Sequence, residues 1–414
     1  MRRSTESPGC APPLLARLRS AIRTRYAWVA LLLLVAICFL ADNRTGATNL
    51  YRLLVVVPML LCFRPADLAP IWRQPPARWF LLLCAWLTLT LWWDGWGHKD
   101  FKLLLRGLNV LALFYLVYLI GVHHRPRVPM LLTGMVALGL IGAGLIVWDW
   151  PQAWPPNWEH QATVRRGVFN HHVEVGRALA LIAIIALYQT LNVSRRVSAC
   201  AYGIATLTLW MLVFWVQARS AYVVLGAGTL LLMALFPGRR AAALVIAGGV
   251  LALLLMLGLR QELTLVAGHV AERGTAMRLP IWHNGWTAIT DSWSRLWFGH
   301  GLSADSRNWV GDIMAPHYHN LLLNQAFYTG LVGVGLYLGW IASLLHAAVP
   351  DRRLWLWGTL VVAMQFGFMT DGDQLFVNPS STLLAFLLPA FLLGFRVPAP
   401  VRDAVSVRGR SSVD

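Results

Sequence analysis

The chain has 414 residues, 57% of them hydrophobic and 13% charged, whereas a soluble domain carries nearer to about a quarter charged residues. Its net charge of +17 does not point to nucleic acid, because the basic residues sit between apolar runs and not on one segment. Those numbers exclude a sizeable soluble domain and point to a protein of many membrane spans.

Apolar runs long enough to cross a bilayer recur with short polar breaks. In chain order they lie near 27–41, 50–63, 78–93, 103–121, 129–148, 173–191, 198–216, 220–236, 241–258, 319–346, 354–370 and 379–395. The first reads as a retained helix and not a signal peptide, because its basic leader is long and no small-residue cleavage site follows. The expected fold is therefore all-α and polytopic, with about twelve transmembrane helices. Positive charge in short loops sets the orientation. With the N-terminus inside, the inner segments hold 21 of the 35 basic residues and 5 of the 18 acidic ones. Each inner segment carries at least two Arg, such as Arg125 with Arg127, Arg195 with Arg196, Arg239 with Arg240 and Arg352 with Arg353. The expected organisation is a cytoplasmic tail over 1–26, helices one to nine over 27–258, a large outer loop over 259–318, helices ten to twelve over 319–396, and a cytoplasmic tail over 397–414. A shorter outer loop lies near 149–172.

The outer loops are patterned. Trp148, Trp150, Trp154 and Trp158 interleave with prolines and read as interface anchors. Trp282, Trp286, Trp293 and Trp297 fall within about 60° of one another at helical spacing, and Pro280 is placed to start that helix. Such a stripe fits a helix lying on the outer membrane surface or one packed on the bundle; both readings stay open. Cys10, Cys38, Cys62, Cys84 and Cys200 have no metal-ligand spacing, so neither a disulfide framework nor a structural metal is expected.

The inner loops are too short for a nucleotide domain and have no phosphate-binding glycine loop, so chemistry on a polar substrate belongs to the outer side. Outer Arg residues run against the topology bias and are informative for that reason. Arg165 and Arg166, with His171 and His172, end the first loop. Arg219 sits in the short break Gln217-Ala218-Arg219-Ser220. Arg260, Arg273, Arg278, Arg295 and Arg307 lie in the second loop, and His317 and His319 end it. A charge at a span boundary faces a cavity or a partner, or else it snorkels to headgroups. Several Arg converging on one cavity suit a pyrophosphate, because guanidinium makes forked, charge-assisted bonds to phosphate oxygens. On an unbroken helix Gly330 and Gly333 lie within about 40° of position 319, where glycines would let a neighbouring helix or lipid tail come close. Asp371 and Asp373 on the last outer loop read as solvated, with metal binding the minor alternative.

His319-Asn320, nine residues, Gly330, two residues and Gly333 read as H-N-x9-G-x-x-G. This resembles the signature of the O-antigen ligase (WaaL) family, within the O-antigen ligase/polymerase superfamily of Gram-negative bacteria. The resemblance extends to the number of spans, the inner ends and the large loop before the motif. It implies transfer of O-antigen from an undecaprenyl-pyrophosphate-linked donor to lipid A–core, at the periplasmic face of the inner membrane. It implies His319 as the essential His, and Arg219 and Arg278 as the pyrophosphate-binding Arg residues. Either Arg165 or Arg166 matches the family's Arg before Gly-x-Phe, and Arg166 is preferred. Asn320, Gly330, Gly333 and His317 would support the site. The reaction would need no cofactor or metal, and the partners would be donor, acceptor and membrane lipids, with no nucleic acid. A pyrophosphate leaves without a general acid, while the acceptor hydroxyl needs a base, and an imidazole suits that task near neutral pH. Direct attack on the anomeric carbon with inversion follows. The rivals are an O-antigen polymerase, a protein O-oligosaccharyltransferase, whose usual long C-terminal soluble region is not seen after the last span, and a transporter of lipid-linked glycans.

Overall fold

The computed structural model describes residues 14–41, 43–93, 97–148, 168–169, 171–216, 218–258, 278–310, 313–372 and 374–401. Every predicted span falls on a helix. These are α1 Leu14–Leu40 and α2 Arg44–Cys62, then, beyond a short α3 Leu68–Trp72, α4 Pro75–Leu89 and α5 His98–His123. α6 spans Arg125–Trp148, and α7 His172–Asn192, α8 Arg196–Val216, α9 Arg219–Leu235 and α10 Arg239–Gly258 follow. In the large loop lie α11 Arg278–Thr290, α12 Trp293–Phe298 and a hairpin of β1 Asn308–Val310 with β2 Ile313–Ala315. α13 Leu321–Ala348, α14 Trp355–Phe368 and α15 Leu383–Gly394 close the chain. Among the described residues α1, α2, α5, α6, α7, α8 and α13 are long and apolar enough to cross a membrane. The protein is an all-α polytopic membrane protein.

α7 is apolar and buried on nearly all sides, which places it at the centre of the bundle. α6, α8, α9 and α14 surround it. Small residues set the closest approaches. A Cβ at Gly176 would lie 2.8 Å from Ala221 and 2.9 Å from Ala218, so the start of α9 rests on the first turns of α7. A Cβ at Gly367 would lie 2.5 Å from Val224, which brings α14 onto the same stretch of α9.

The helix ends sort into two groups. At one end Arg23 pairs with Asp67, Arg240 donates to the carbonyl of Thr190, and the C-terminal segment is strapped down by Trp357 Nε1 to Val397 O at 2.8 Å and Tyr188 OH to Pro400 O at 2.7 Å. The Arg pairs of the short loops gather here. At the other end the start of α2 meets the start of α7 through Arg44 and Glu174, and the start of α7 meets the end of α14 through Arg177 and Asp371. Val168 N bonds Cys38 O at 3.2 Å, and Phe169 packs edge-on against Phe39.

Two expectations are corrected. The four Trp do not share one helix: α11 ends at Thr290, Ser292 caps α12 through Arg295 N, and only Trp282 packs on the core while Trp286, Trp293 and Trp297 are exposed. That helix starts at Arg278, with Pro280 inside its first turn, where a missing N–H costs nothing. The large loop also contains the β1–β2 hairpin, paired in antiparallel register with Asn308 opposite Ala315. Trp150, Trp154, Trp158 and Asp373 lie outside the described residues.

Candidate active site

α13 begins with Asn320 as its N-cap, the side-chain oxygen accepting from Leu322 N at 3.0 Å and Leu323 N at 3.2 Å. An Asn here satisfies two of the donors that every helix start leaves open. His319 stands just before the cap with φ 50°, a left-handed conformation that a non-glycine residue adopts at a cost of about 1–3 kcal/mol. The backbone therefore turns the imidazole off the helix axis and not along it. Its amide donates to His317 Nδ1 at 3.0 Å.

His319 Nδ1 lies 3.0 Å from Asp371 Oδ1. Burial opposes the charge on Asp371, but the hydrogen bond from His319 and the charge of Arg177 outweigh it and hold the carboxyl well below the ordinary range. An ionised carboxylate only accepts, so His319 Nδ1 carries a proton and donates to Asp371. Burial, with the charges of His319 and Arg177, pushes His317 down to about 4 against the pull of Asp371. A neutral His317 matches its role as acceptor for the amide of His319.

Arg177 is the residue that the sequence reading missed. It lies two turns into α7, only 6% exposed, and donates from Nη1 to the backbone carbonyl of Asp371 at 2.6 Å, with Nη2 4.0 Å from the carboxylate. A buried charge inside an apolar span is itself a signal; its partner, 194 positions away, is not readable from spacing. Asp371 is a further correction. It is not a solvated loop residue: its side chain is 22% exposed and engaged by both His319 and Arg177.

Arg278 opens α11 and is half-buried. Burial lowers its affinity for the proton, the like charge of Arg219 lowers it further, and Asp371 opposes both. Arg219, Arg278, Arg177, Asp371, His317 and His319 thus form one electrostatic group at one end of the bundle. Arg165 and Arg166 lie outside the described residues; Val168 and Phe169, just after them, are buried. Arg260 and Arg273 lie outside the described residues, and the other two loop Arg are spent locally: Arg307 Nε pairs with Asp305 Oδ1 at 3.0 Å, and Arg295 pairs with Asp291, all of them exposed.

The glycines of the motif shape the helix. Gly330 has φ 65° and ψ −171°, which breaks α13. A Cβ there would lie 2.2 Å from Trp297 O, and one at Gly299 (φ 76°) would lie 2.4 Å from Thr329 N. The end of α12 is thereby seated in the break. The carbonyls that the break frees are all taken: Phe327 O by His300 N at 2.8 Å, Tyr328 O by Gly301 N at 3.0 Å, and Thr329 O by Trp86 Nε1 at 3.0 Å. The space beside Gly333 is filled by Thr329 of its own helix. A face shared with His319 does not exist, because the helix is broken between them and His319 lies outside it. Tyr328 OH donates to Ser306 Oγ at 2.7 Å, and His300 stacks on Phe327 at 4.3 Å, so the loop is bound to the first half of α13, which starts at the site.

One ligand atom from each of His317, His319 and Asp371 lie within 4.8 Å of one another, a spacing that a metal ion would accept. The electrostatics oppose it: Arg177 and Arg278 act on the same carboxylate, and Asp371 Oδ1 and His319 Nδ1 are already bonded to each other.

Residues 204–338 match a family model described as O-Antigen ligase. No curated protein matches the chain. The matched stretch holds Arg219, Arg278, His319, Asn320, Gly330 and Gly333, while Arg166, Arg177 and Asp371 fall outside it. The match supports the O-antigen ligase/polymerase superfamily and, with it, a glycosyltransferase-type membrane enzyme.

Proposed function

We propose that this protein is an O-antigen ligase of the bacterial inner membrane, joining O-antigen from undecaprenyl pyrophosphate to a sugar hydroxyl of lipid A–core on the periplasmic face. The observation that carries the reading is the His319–Asp371 pair held beside Arg219 and Arg278, with the His and both Arg inside the family match.

The acceptor hydroxyl approaches His319 Nε2, which takes its proton as the oxygen attacks the anomeric carbon. The carbon–oxygen bond to the pyrophosphate breaks on the opposite face, so the configuration inverts. Asp371 keeps the imidazole in the productive tautomer and stabilises the imidazolium that forms. Charge develops on the departing pyrophosphate, where Arg219, Arg278 and Arg166 supply fixed positive charge and forked donors. The pyrophosphate linkage itself drives the transfer, so no nucleotide is needed.

The test uses purified protein, an undecaprenyl-pyrophosphate-linked glycan and lipid A–core, without nucleotide. Ligated lipopolysaccharide is the expected product. Chain extension in the absence of lipid A–core would make it a polymerase, and movement of the lipid-linked glycan without a new glycosidic bond would make it a transporter.

A further inference from the structure

A second cavity, of about 700 Å³, opens at the same end of the bundle between α2 and α5, and nothing in the reaction above uses it. Its size is that of a ligand site. Four cations line it: Arg44 and Arg52 from α2, Lys102 and Arg106 from α5. On each helix they descend from the end, Arg52 and Arg106 roughly 12 Å along the axis from the helix start. Charges at that depth in apolar helices are costly and face a cavity or a partner. Phe101 and Phe169 add apolar lining. Glu174 lies 3.9 Å from Arg44, and among the described residues that line the cleft four are cations and none is a carboxylate.

The cleft cations come from α2 and α5, whereas the reacting group is built from α7, α9, α11 and the segments on either side of α13 and α14. Yet the two sites share a frame. Glu174 faces the cleft and Arg177, one turn further along α7, faces Asp371, a rise of about 4.5 Å. The segment after Asp371 returns to the cleft, where Asn378 lines the wall and accepts from Asn109 Nδ2 at 3.2 Å. Phe376 of that segment fills the space beside Gly107.

We propose that the α2–α5 cleft binds the phosphate groups of the acceptor glycolipid and so sets its sugar hydroxyl at a fixed distance from His319. The acceptor role rests on the ligase reading; the binding itself does not. Cations near the ends of two membrane-spanning helices, beside apolar lining, suit a phosphate carried on a membrane-anchored molecule. The donor pyrophosphate already has Arg219 and Arg278 next to the base, which leaves the phosphates of the second substrate for this cleft.

The experiment measures binding of bis-phosphorylated lipid A, dephosphorylated lipid A, phosphatidylglycerol and undecaprenyl pyrophosphate to the full-length protein in phosphatidylcholine nanodiscs. Bis-phosphorylated lipid A should bind about tenfold more tightly than the dephosphorylated form or phosphatidylglycerol, because at least one charge-assisted contact is lost in each. The Arg52→Gln/Arg106→Gln variant should lose that preference and keep its affinity for undecaprenyl pyrophosphate. Lys102→Gln, at an exposed position where folding is not at risk, should lose a smaller part. Equal binding of the dephosphorylated lipid, or of phosphatidylglycerol, would overturn the proposal. So would a matching loss of undecaprenyl pyrophosphate affinity in the variants, which would assign the cleft to the donor. A wild-type protein that binds as expected but forms no glycosidic bond would refute the ligase reading and leave the phosphate cleft standing.

Discussion

Each end of the bundle buries an Arg beside an Asp, and the two pairs are built differently. At the strapped end Arg23 grips Asp67 with both nitrogens, Nη1 to Oδ2 at 2.6 Å and Nη2 to Oδ1 at 2.9 Å, and Tyr115 OH adds a third bond at 2.6 Å. Both oxygens of that carboxylate are used. At the other end Arg177 takes the backbone carbonyl of Asp371 and stays 4.0 Å from its carboxylate, leaving Oδ1 for His319. A closed pair ties helices together. An open pair holds a charge in place for a third group, and that is what a base needs.

The most direct way to break this comparison is to remove the base. His319→Ala should lower transfer by about a thousandfold, within the usual contribution of a general base, while the protein still inserts and still binds undecaprenyl pyrophosphate. The assay is glycan transfer to lipid A–core, and near-normal transfer would end the assignment.

The second test sets the two aspartates against each other. Asp371→Asn keeps the shape but removes the charge that fixes the tautomer of His319, so turnover should fall about a hundredfold with its pH profile altered and melting little changed. Asp67→Asn should do the reverse. Breaking a buried, fully bonded pair costs about 3–5 kcal/mol, seen as a lower melting temperature in detergent, while the protein that remains folded turns over normally. The same loss of turnover in both variants, in step with stability, would erase the distinction.

How much of this was legible in sequence follows from the range of each signal. Spans and loop charges are local patterns, and each predicted span coincides with a helix. His319-Asn320 was legible as a motif, although its geometry was not: the left-handed backbone at His319 and the break at Gly330 have no signature in hydrophobic periodicity. The reason for Gly330 lies in Trp297, on a different helix. Asp371 looked like a loop residue because its partners, Arg177 and His319, come from other elements. Arg177 was visible as a charge in an apolar run, but only the fold gives it a partner.

Charge and fork geometry can be separated at the Arg residues. Arg219→Lys and Arg278→Lys keep the positive charge and lose the planar pair of donors. Each should reduce donor use by about tenfold, roughly one charge-assisted hydrogen bond, and Ala at either position should reduce it further. Transfer rates across donor concentrations provide the check. Full activity in the Lys variants would reduce both residues to point charges.

The smallest effect is set by pH. His317 is held at about 4, against 6.5 for an ordinary imidazole, so between those values the unfolded chain binds a proton that the folded one refuses. Stability from this residue is complete above about 6.5 and is lost as the pH falls toward 4. The carboxylates of both Asp pairs sit below this window, because each is lowered from 3.8 in the fold, and they weaken only in stronger acid. His124, buried at the strapped end, is also lowered by burial, so the wild-type curve mixes both ends. His317→Gln isolates the site, since Gln still offers an acceptor to the amide of His319 and does not titrate. Melting temperatures from pH 7.5 to 4.5 should fall less steeply in that variant, by about 2–4 °C. Parallel curves would mean that the site end is as closed as the strapped one.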